Sequence, residues 1–129
     1  MQLFGIDLFA NKDTTDISLI ITGDVSSTVQ GRVVDVAATR GDCVAFISPT
    51  YSDVVGVAGD ELSNISTWLA SVNQYSSYGV ADSGWKYMFD RYNNVYRWVP
   101  LNGDIAGLCV YTDTNNAPWY SPAGYNRGV

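Results

Sequence analysis

The sequence predicts an α/β layered domain: a mainly parallel sheet flanked by helices plus a β-hairpin, in the order β-α-β-α-β-β-α. Three observations predict it. Two apolar runs, Asp16–Gly23 (DISLIITG) and Cys43–Ser48 (CVAFIS), are continuous rather than alternating, as in strands covered on both faces. Between them Val25, Val29, Val33 and Ala37 recur every fourth residue, which is helical spacing. Further on, Trp85–Asp90 and Val95–Val99 flank the tight-turn sequence Arg91–Asn94 (RYNN), a hairpin pattern.

The elements follow in order. The first strand ends at Gly23. The helix after it has Asp24, Ser26 or Ser27 as candidate N-caps and Gly41 as C-cap. Its valines are weak helix formers, so periodicity has to outweigh propensity there. Pro49 stops the second strand, and Ser48–Gly59 reads as a loop. Asp60 is expected to cap a helix reaching about Asn73, with Leu62, Ile65, Leu69 and Val72 on its apolar stripe and Trp68 beside it. Gln74–Gly84 (QYSSYGVADSG) reads as a polar, Tyr-dotted loop. Pro100 ends the second hairpin strand, and an apolar segment through Ile105, Leu108 and Val110 supplies the last helix. From Thr112 onward turn formers dominate, and an irregular tail is expected. No internal repeat or linker is visible, so residues 1–129 read as a single α/β core domain.

Composition narrows the function. The chain is 47% hydrophobic and 16% charged, which is the balance of a folded domain. Net charge is −6 and the seven cations form no run, so nucleic-acid binding and attraction to anionic membranes are disfavoured. No run approaches membrane-spanning length, and no membrane insertion is expected. The N-terminus has no basic region, long apolar stretch or cleavage site, so synthesis inside the cell is expected. Histidine is absent, which removes the commonest general base and metal ligand. Cys43 and Cys109 each sit in an apolar run and read as reduced, small hydrophobes. Aromatic residues reach 13%, more than a domain this small can bury, so exposed rings are expected, either on contact surfaces or as amphipathic rings at the edge of the core.

The strand-glycine-helix layout around Leu101–Gly107 has the outline of a phosphate site but not its chemistry. Gly107 is followed by Leu108 and Cys109, with no Gly-Lys-Ser/Thr ending, and the spacing is Gly-x-x-x-Gly rather than Gly-x-Gly-x-x-Gly. Asp104 would set a negative charge where a phosphate belongs. The residues instead suggest a helix start capped by Asn102 or Asp104, with Gly103 and Gly107 leaving a smooth face for close packing. The other carboxylates mostly adjoin Gly, Ser or Asn, where Asp caps helices or sets turns, and Asp90 with Arg91 or Arg97 reads as a surface pair. No hydroxyl has a base beside it, so no catalytic residue, cofactor site or metal site is assigned. The residues favour an interaction or structural protein. The alternative is a small α/β hydrolase or ligand-binding domain, if Asp90, Asp104 or Asp113 were to meet beside an aromatic wall.

The last third carries a resemblance. Tyr96-Arg97-Trp98-Val99-Pro100, Gly103-Asp104-Ile105-Ala106-Gly107, Thr112-Asp113, Pro118-Trp119, Ser121-Pro122-Ala123-Gly124 and Asn126-Arg127-Gly128 together closely resemble the tail sheath protein of contractile-tailed bacteriophages of the T-even type. The runs DISLIITGD and CVAFISP look like preceding strands of the same domain. The resemblance makes Trp98, Pro100, Gly103, Asp104, Gly107, Asp113, Trp119, Pro122 and Gly124 family-motif residues with structural roles. It implies a non-enzymatic virion protein of a contractile injection system. Its partners would be other sheath subunits, in six-fold rings stacked helically, and the tail tube protein, with no cofactor. It would be assembled in the host cytoplasm and located in the phage tail. It also implies strand exchange between neighbours, in which terminal arms add to a subunit's sheet. Members of that family are several times longer, so the chain is expected to be a fragment of a longer sheath protein.

Overall fold

The computed structural model describes residues 2–125. The expected class is what it shows: helices around a three-stranded parallel sheet, and a separate antiparallel hairpin. The strands are β1 (Leu19–Ile21), β2 (Val44–Ile47), β3 (Gly79–Ala81), β4 (Trp85–Asp90) and β5 (Val95–Pro100). The helices are α1 (Gln2–Asp7), α2 (Ser27–Arg40), α3 (Tyr51–Val54), α4 (Glu61–Val72) and α5 (Asn102–Asn115), with a 3-10 turn at Leu8–Ala10. The sheet order is β1-β2-β3, with Ile20 beside Ala45 and Phe46 beside Val80.

Several elements go beyond the sequence reading, starting with α1 and the 3-10 turn, which precede the first expected strand. The segment read as a polar loop, Gln74–Gly84, contains β3, an edge strand too short for its pattern to show. Gly79 fits closely there, because a Cβ would sit 3.0 Å from the Val34 side chain on α2, which would have to shift. The expected loop Ser48–Gly59 holds α3, closed by a capping box between Thr50 and Asp53. The tail expected to be irregular from Thr112 is helical through Asn115.

The core lies between β2 and the pair α2–α4. Val33, Val34 and Ala37 of α2 meet Ala45 and Ile47 of β2 and Trp68 and Val72 of α4. Phe46 is buried outside that cluster, and α5 packs on β1 and β2, so both sheet faces are covered. The α4 stripe differs from the expected one. Ile65, Trp68 and Val72 face the core, whereas Leu62 and Leu69 are exposed. The cause is Gln30, fully buried on α2. Its Oε1 accepts from Trp68 Nε1 (2.8 Å), and its Nε2 donates to the carbonyls of Val25 (2.9 Å) and Ser48 (2.8 Å). Turning α4 to satisfy this amide sets which of its residues look inward. Gly31, beside Gln30, lets α4 approach, since a Cβ there would meet the Val72 carbonyl oxygen at 2.8 Å.

Caps follow the sequence at one end more than the other. Gly41 and Asn73 close α2 and α4 in left-handed conformations, φ +70° and +50°. Asp60 precedes α4 but its side chain makes no cap bond, a correction to its expected role. The N-terminal segment is tied down by Arg40, whose guanidinium donates to the carbonyls of Phe9 (2.6 Å) and Thr15 (2.8 Å) and pairs with Asp42 (2.8 Å). The two cysteines are free, Cys43 buried and Cys109 partly so.

Replacing Gln30 by Ala strands a buried indole N–H and two carbonyls. Gln30→Ala is expected to cost about 2–4 kcal/mol, read as a lower urea midpoint at unchanged m-value.

Candidate functional site

In open α/β sheets a ligand sits at the carboxyl ends of the strands. Here that edge is closed by the chain itself. One polar residue follows each strand: Thr22 after β1, Ser48 after β2 and Asp82 after β3. Ser48 Oγ donates to Asp82 Oδ2 (2.6 Å) and accepts the backbone N–H of Asn102 (3.1 Å). The Asn102 amide then donates to Thr22 Oγ1 (3.3 Å) and to the Gly23 carbonyl (2.9 Å). Asn102 and Ser48 are both about 1% exposed, so nothing from solvent enters between them. Burial pushes the Asp82 carboxyl above its ordinary range, while its bonds from Ser48 and the Gly84 N–H pull the other way.

This corrects the reading of Leu101–Gly107. There is no loop: α5 starts at Asn102, two residues after the end of β5. Asn102 is not an N-cap, because its side chain reaches back to the sheet rather than to its own helix. Asp104 is not one either; in the first turn of α5, it pairs with Lys86 Nζ on β4 at 2.6 Å. Gly103 and Gly107 face open space, so the expected close packing over them is absent. The buried face of α5 is Asn102, Ala106 and Thr112 instead.

The other motif residues are dispersed. Trp98 and Pro100 lie on β5, Pro100 opposite Trp85. Asp113 is exposed on the last turns of α5, and Trp119 is 83% exposed beyond it. Pro122 and Gly124 follow in the turn-rich tail, Gly124 with φ +141°. The Asn126-Arg127-Gly128 motif lies outside the described residues. Asp90 pairs with Arg97 (3.2 Å) rather than Arg91, and it also accepts from the N–H groups of Tyr92 and Asn93 across the hairpin turn. Its carboxyl is held low, chiefly by the side-chain bond from Asn93. Asp90, Asp104 and Asp113 thus have separate settings, and no cluster of three His, Cys, Asp or Glu exists among the described residues.

What the structure brings together is surface. On one face of the hairpin Tyr87 stacks on Tyr96 (ring centroids 5.3 Å) and touches Trp98 (5.2 Å), and Phe89 leans on Tyr96 (5.1 Å). All four rings are 40–60% exposed. The hairpin is joined to the domain at its root, by Trp85 Nε1 donating to the Pro49 carbonyl (2.8 Å), by the Lys86–Asp104 pair and by Tyr51 against Trp85 and Trp98. An apolar groove of about 460 Å³ runs between α1, β1 and α2. The alternation Trp85, Tyr87, Phe89 and Tyr96, Trp98 would have marked the hairpin face in the sequence, and Ser48, Thr22 and Asp82 carry no such signal.

No family model matches the sequence. The chain is similar to curated tail sheath proteins. It is 40% identical to that of Vibrio phage KVP40 over 98% of its own length and 22% of the relative. The corresponding figures are 40%, 95% and 21% for Enterobacteria phage T4, and 36%, 77% and 16% for Salmonella phage ViI. The chain therefore spans about a fifth of the length of the first two relatives.

Two outcomes are expected of the junction. Asn102→Ala removes two side-chain bonds and leaves the part-buried Gly23 carbonyl only its long bond from Thr22 Oγ1 (3.3 Å), costing about 1–3 kcal/mol in a denaturation series. Asp82 has a folded pKa above its unfolded one, so its contribution to stability is fully present below the unfolded value and is lost as pH rises through the folded one. Relative to Asp82→Asn, the wild-type chain should gain stability as pH falls from about 7 to about 4; a flat or opposite difference would refute the assignment.

Proposed function

We propose, from the premise that this chain belongs with the phage tail sheath proteins over the segment it covers, that it forms a structural core of the contractile tail sheath. In this reading the subunit polymerises around the tail tube in six-fold rings stacked helically. On triggering, the sheath contracts and drives the tube through the host envelope during genome delivery. Its partners are other sheath subunits and the tail tube protein, it performs no catalysis, and it is assembled in the host cytoplasm before residing in the virion tail.

The observation that carries this is sequence similarity to three tail sheath proteins over most of the chain. Two structural features support an architectural role. The carboxyl edge of the sheet, where an α/β domain would hold a ligand, is filled by Asn102. The hairpin is a two-stranded sheet with both outer edges unpaired among the described residues, a form that is marginal in water until a further strand or cover completes it. Strand addition from a neighbouring subunit would do so.

Electron microscopy of the full-length parent, expressed without other phage proteins and with its tube protein, tests this. Tubes or polysheath with six-fold symmetry are expected. A parent that stays soluble and unassembled in both preparations overturns the reading.

A further inference from the structure

Asn102 is the only asparagine of the chain that precedes a glycine. That pair has a chemistry of its own. The backbone nitrogen of the following residue attacks the side-chain amide carbon, and a glycine leaves that nitrogen unhindered. The fold holds the pair against this reaction. The Asn102 amide donates to Thr22 Oγ1 (3.3 Å) and to the Gly23 carbonyl (2.9 Å), toward the sheet and away from its own helix. The Asn102 N–H is bonded to Ser48 Oγ (3.1 Å), and the Gly103 nitrogen lies in the first turn of α5, closed by the Ile105 N–H on the Leu101 carbonyl (3.0 Å). Asn102 is about 1% exposed, so the water and base that the reaction needs are kept out. Attack requires that both amide bonds break and that the start of the helix unwinds.

We infer that Asn102-Gly103 is a deamidation site that the fold keeps closed, and that its conversion in an opened chain blocks the return to this structure. In the opened chain the Gly103 nitrogen loses its proton to base and bonds to Asn102 Cγ. The Cγ–Nδ2 bond breaks and ammonia leaves, closing a cyclic imide. Water then opens the imide at either carbonyl. One opening leaves Asp at position 102, and the other leaves an isoaspartyl link, in which the backbone runs through the former side chain. Overall water is consumed and ammonia released. Neither product fits the junction. A carboxylate has no hydrogen to donate, so it would face the Gly23 carbonyl without a bond, buried close to a second carboxyl, since Asp82 accepts from the same Ser48 hydroxyl that holds the Asn102 N–H. The isoaspartyl link inserts a methylene into the main chain at the first residue of α5, and the N–H on Ser48 and the helix can no longer keep their present register. The inference uses only the residues of this junction and does not rest on the sheath reading.

Peptide mapping by mass spectrometry tests it, on the 129-residue chain held at mildly alkaline pH in buffer and in a urea series that spans its unfolding transition. Only the opened fraction reacts, so conversion at Asn102 should follow the unfolded population and run at least about tenfold slower in buffer than in full denaturant. In denaturant Asn102 should convert before any other asparagine. After a long incubation there, removal of urea should restore the native circular dichroism only in proportion to the Asn102 that is left. Gly103→Ala is the control variant. A Cβ there meets nothing within 4 Å and Ala favours the helix, so the fold is kept, while the nitrogen is hindered. It should slow conversion in denaturant several-fold and raise the refolded fraction to match. Asn102→Asp supplies one product directly and should unfold at lower urea than Asn102→Ala, by a margin that widens as pH rises and the buried carboxyl ionises. Conversion at Asn102 as fast in buffer as in denaturant, another asparagine converting first, no slowing by Gly103→Ala, or converted chains that refold like the wild type would each overturn the inference. None of these outcomes bears on assembly by the full-length parent, so the sheath reading is tested separately.

Discussion

The carboxyl end of β2 is where the parts of this fold meet, and Ser48 is the meeting point. Its carbonyl takes a bond from Gln30 on α2, its hydroxyl donates to Asp82 beyond β3, and the same oxygen receives the N–H of Asn102 at the start of α5. A buried polar group must find its partners within the protein or cost the molecule its desolvation. Ser48 and Gln30 are both about 1% exposed, so each of their bonds has to be made by a particular residue from a particular element. Apolar packing fixes that α2, α4 and α5 cover the sheet. The polar demands at its carboxyl edge fix in which register they do so.

That constraint explains the rotation of α4 and the start of α5. Trp68 has an N–H that cannot be buried unpaired, and Gln30 Oε1 is the partner that the α2 face presents. Once Trp68 turns inward, Leu62 and Leu69 are carried outward at helical spacing, although hydrophobicity alone would favour them inside. The same logic places Asn102. A helix N-terminus pointed at a sheet edge is suited to an anion, but here the first N–H is taken by a serine hydroxyl and the space by the asparagine amide. Asp104 in the first turn favours the helix dipole and also draws Lys86 toward it.

Much of the frame was legible in the sequence, and the reason is period. The continuous runs at Leu19–Ile21 and Val44–Ile47, the four-residue valine spacing of α2 and the alternating hairpin each repeat often enough to be seen. β3 was not legible because three residues, one of them glycine, carry no period; its pairing is made by the backbone and allowed by the contact of Gly79 with Val34. The role of Asn102 was misread for a related reason. An Asn before an apolar helix has the local pattern of a cap, and only the fold brings Thr22 and Gly23 within its reach across about eighty residues of chain. Glycines 103 and 107 look like packing residues in sequence, yet no neighbour approaches them in this chain. The family resemblance rested on the same stretch, and the similarity to tail sheath proteins extends over most of the chain.

The position of the hairpin follows from its root. β4 and β5 bond to each other along their whole length, a ladder that the Leu101 N–H on the Gly84 carbonyl extends, and to the rest of the chain at few points: the Trp85 indole on the Pro49 carbonyl and the Lys86–Asp104 pair. Leu101 alone separates β5 from α5, so hairpin and helix share one rigid connection. Asn102 then bonds that connection to the ends of β1 and β2. A force on the exposed aromatic ridge is therefore received at the carboxyl edge of the sheet, by the hydrogen bonds of the buried Asn102. An element meant only to be covered by its own domain would be packed along its length. This one is bonded at its root and exposed along the rest of its aromatic face within the described residues.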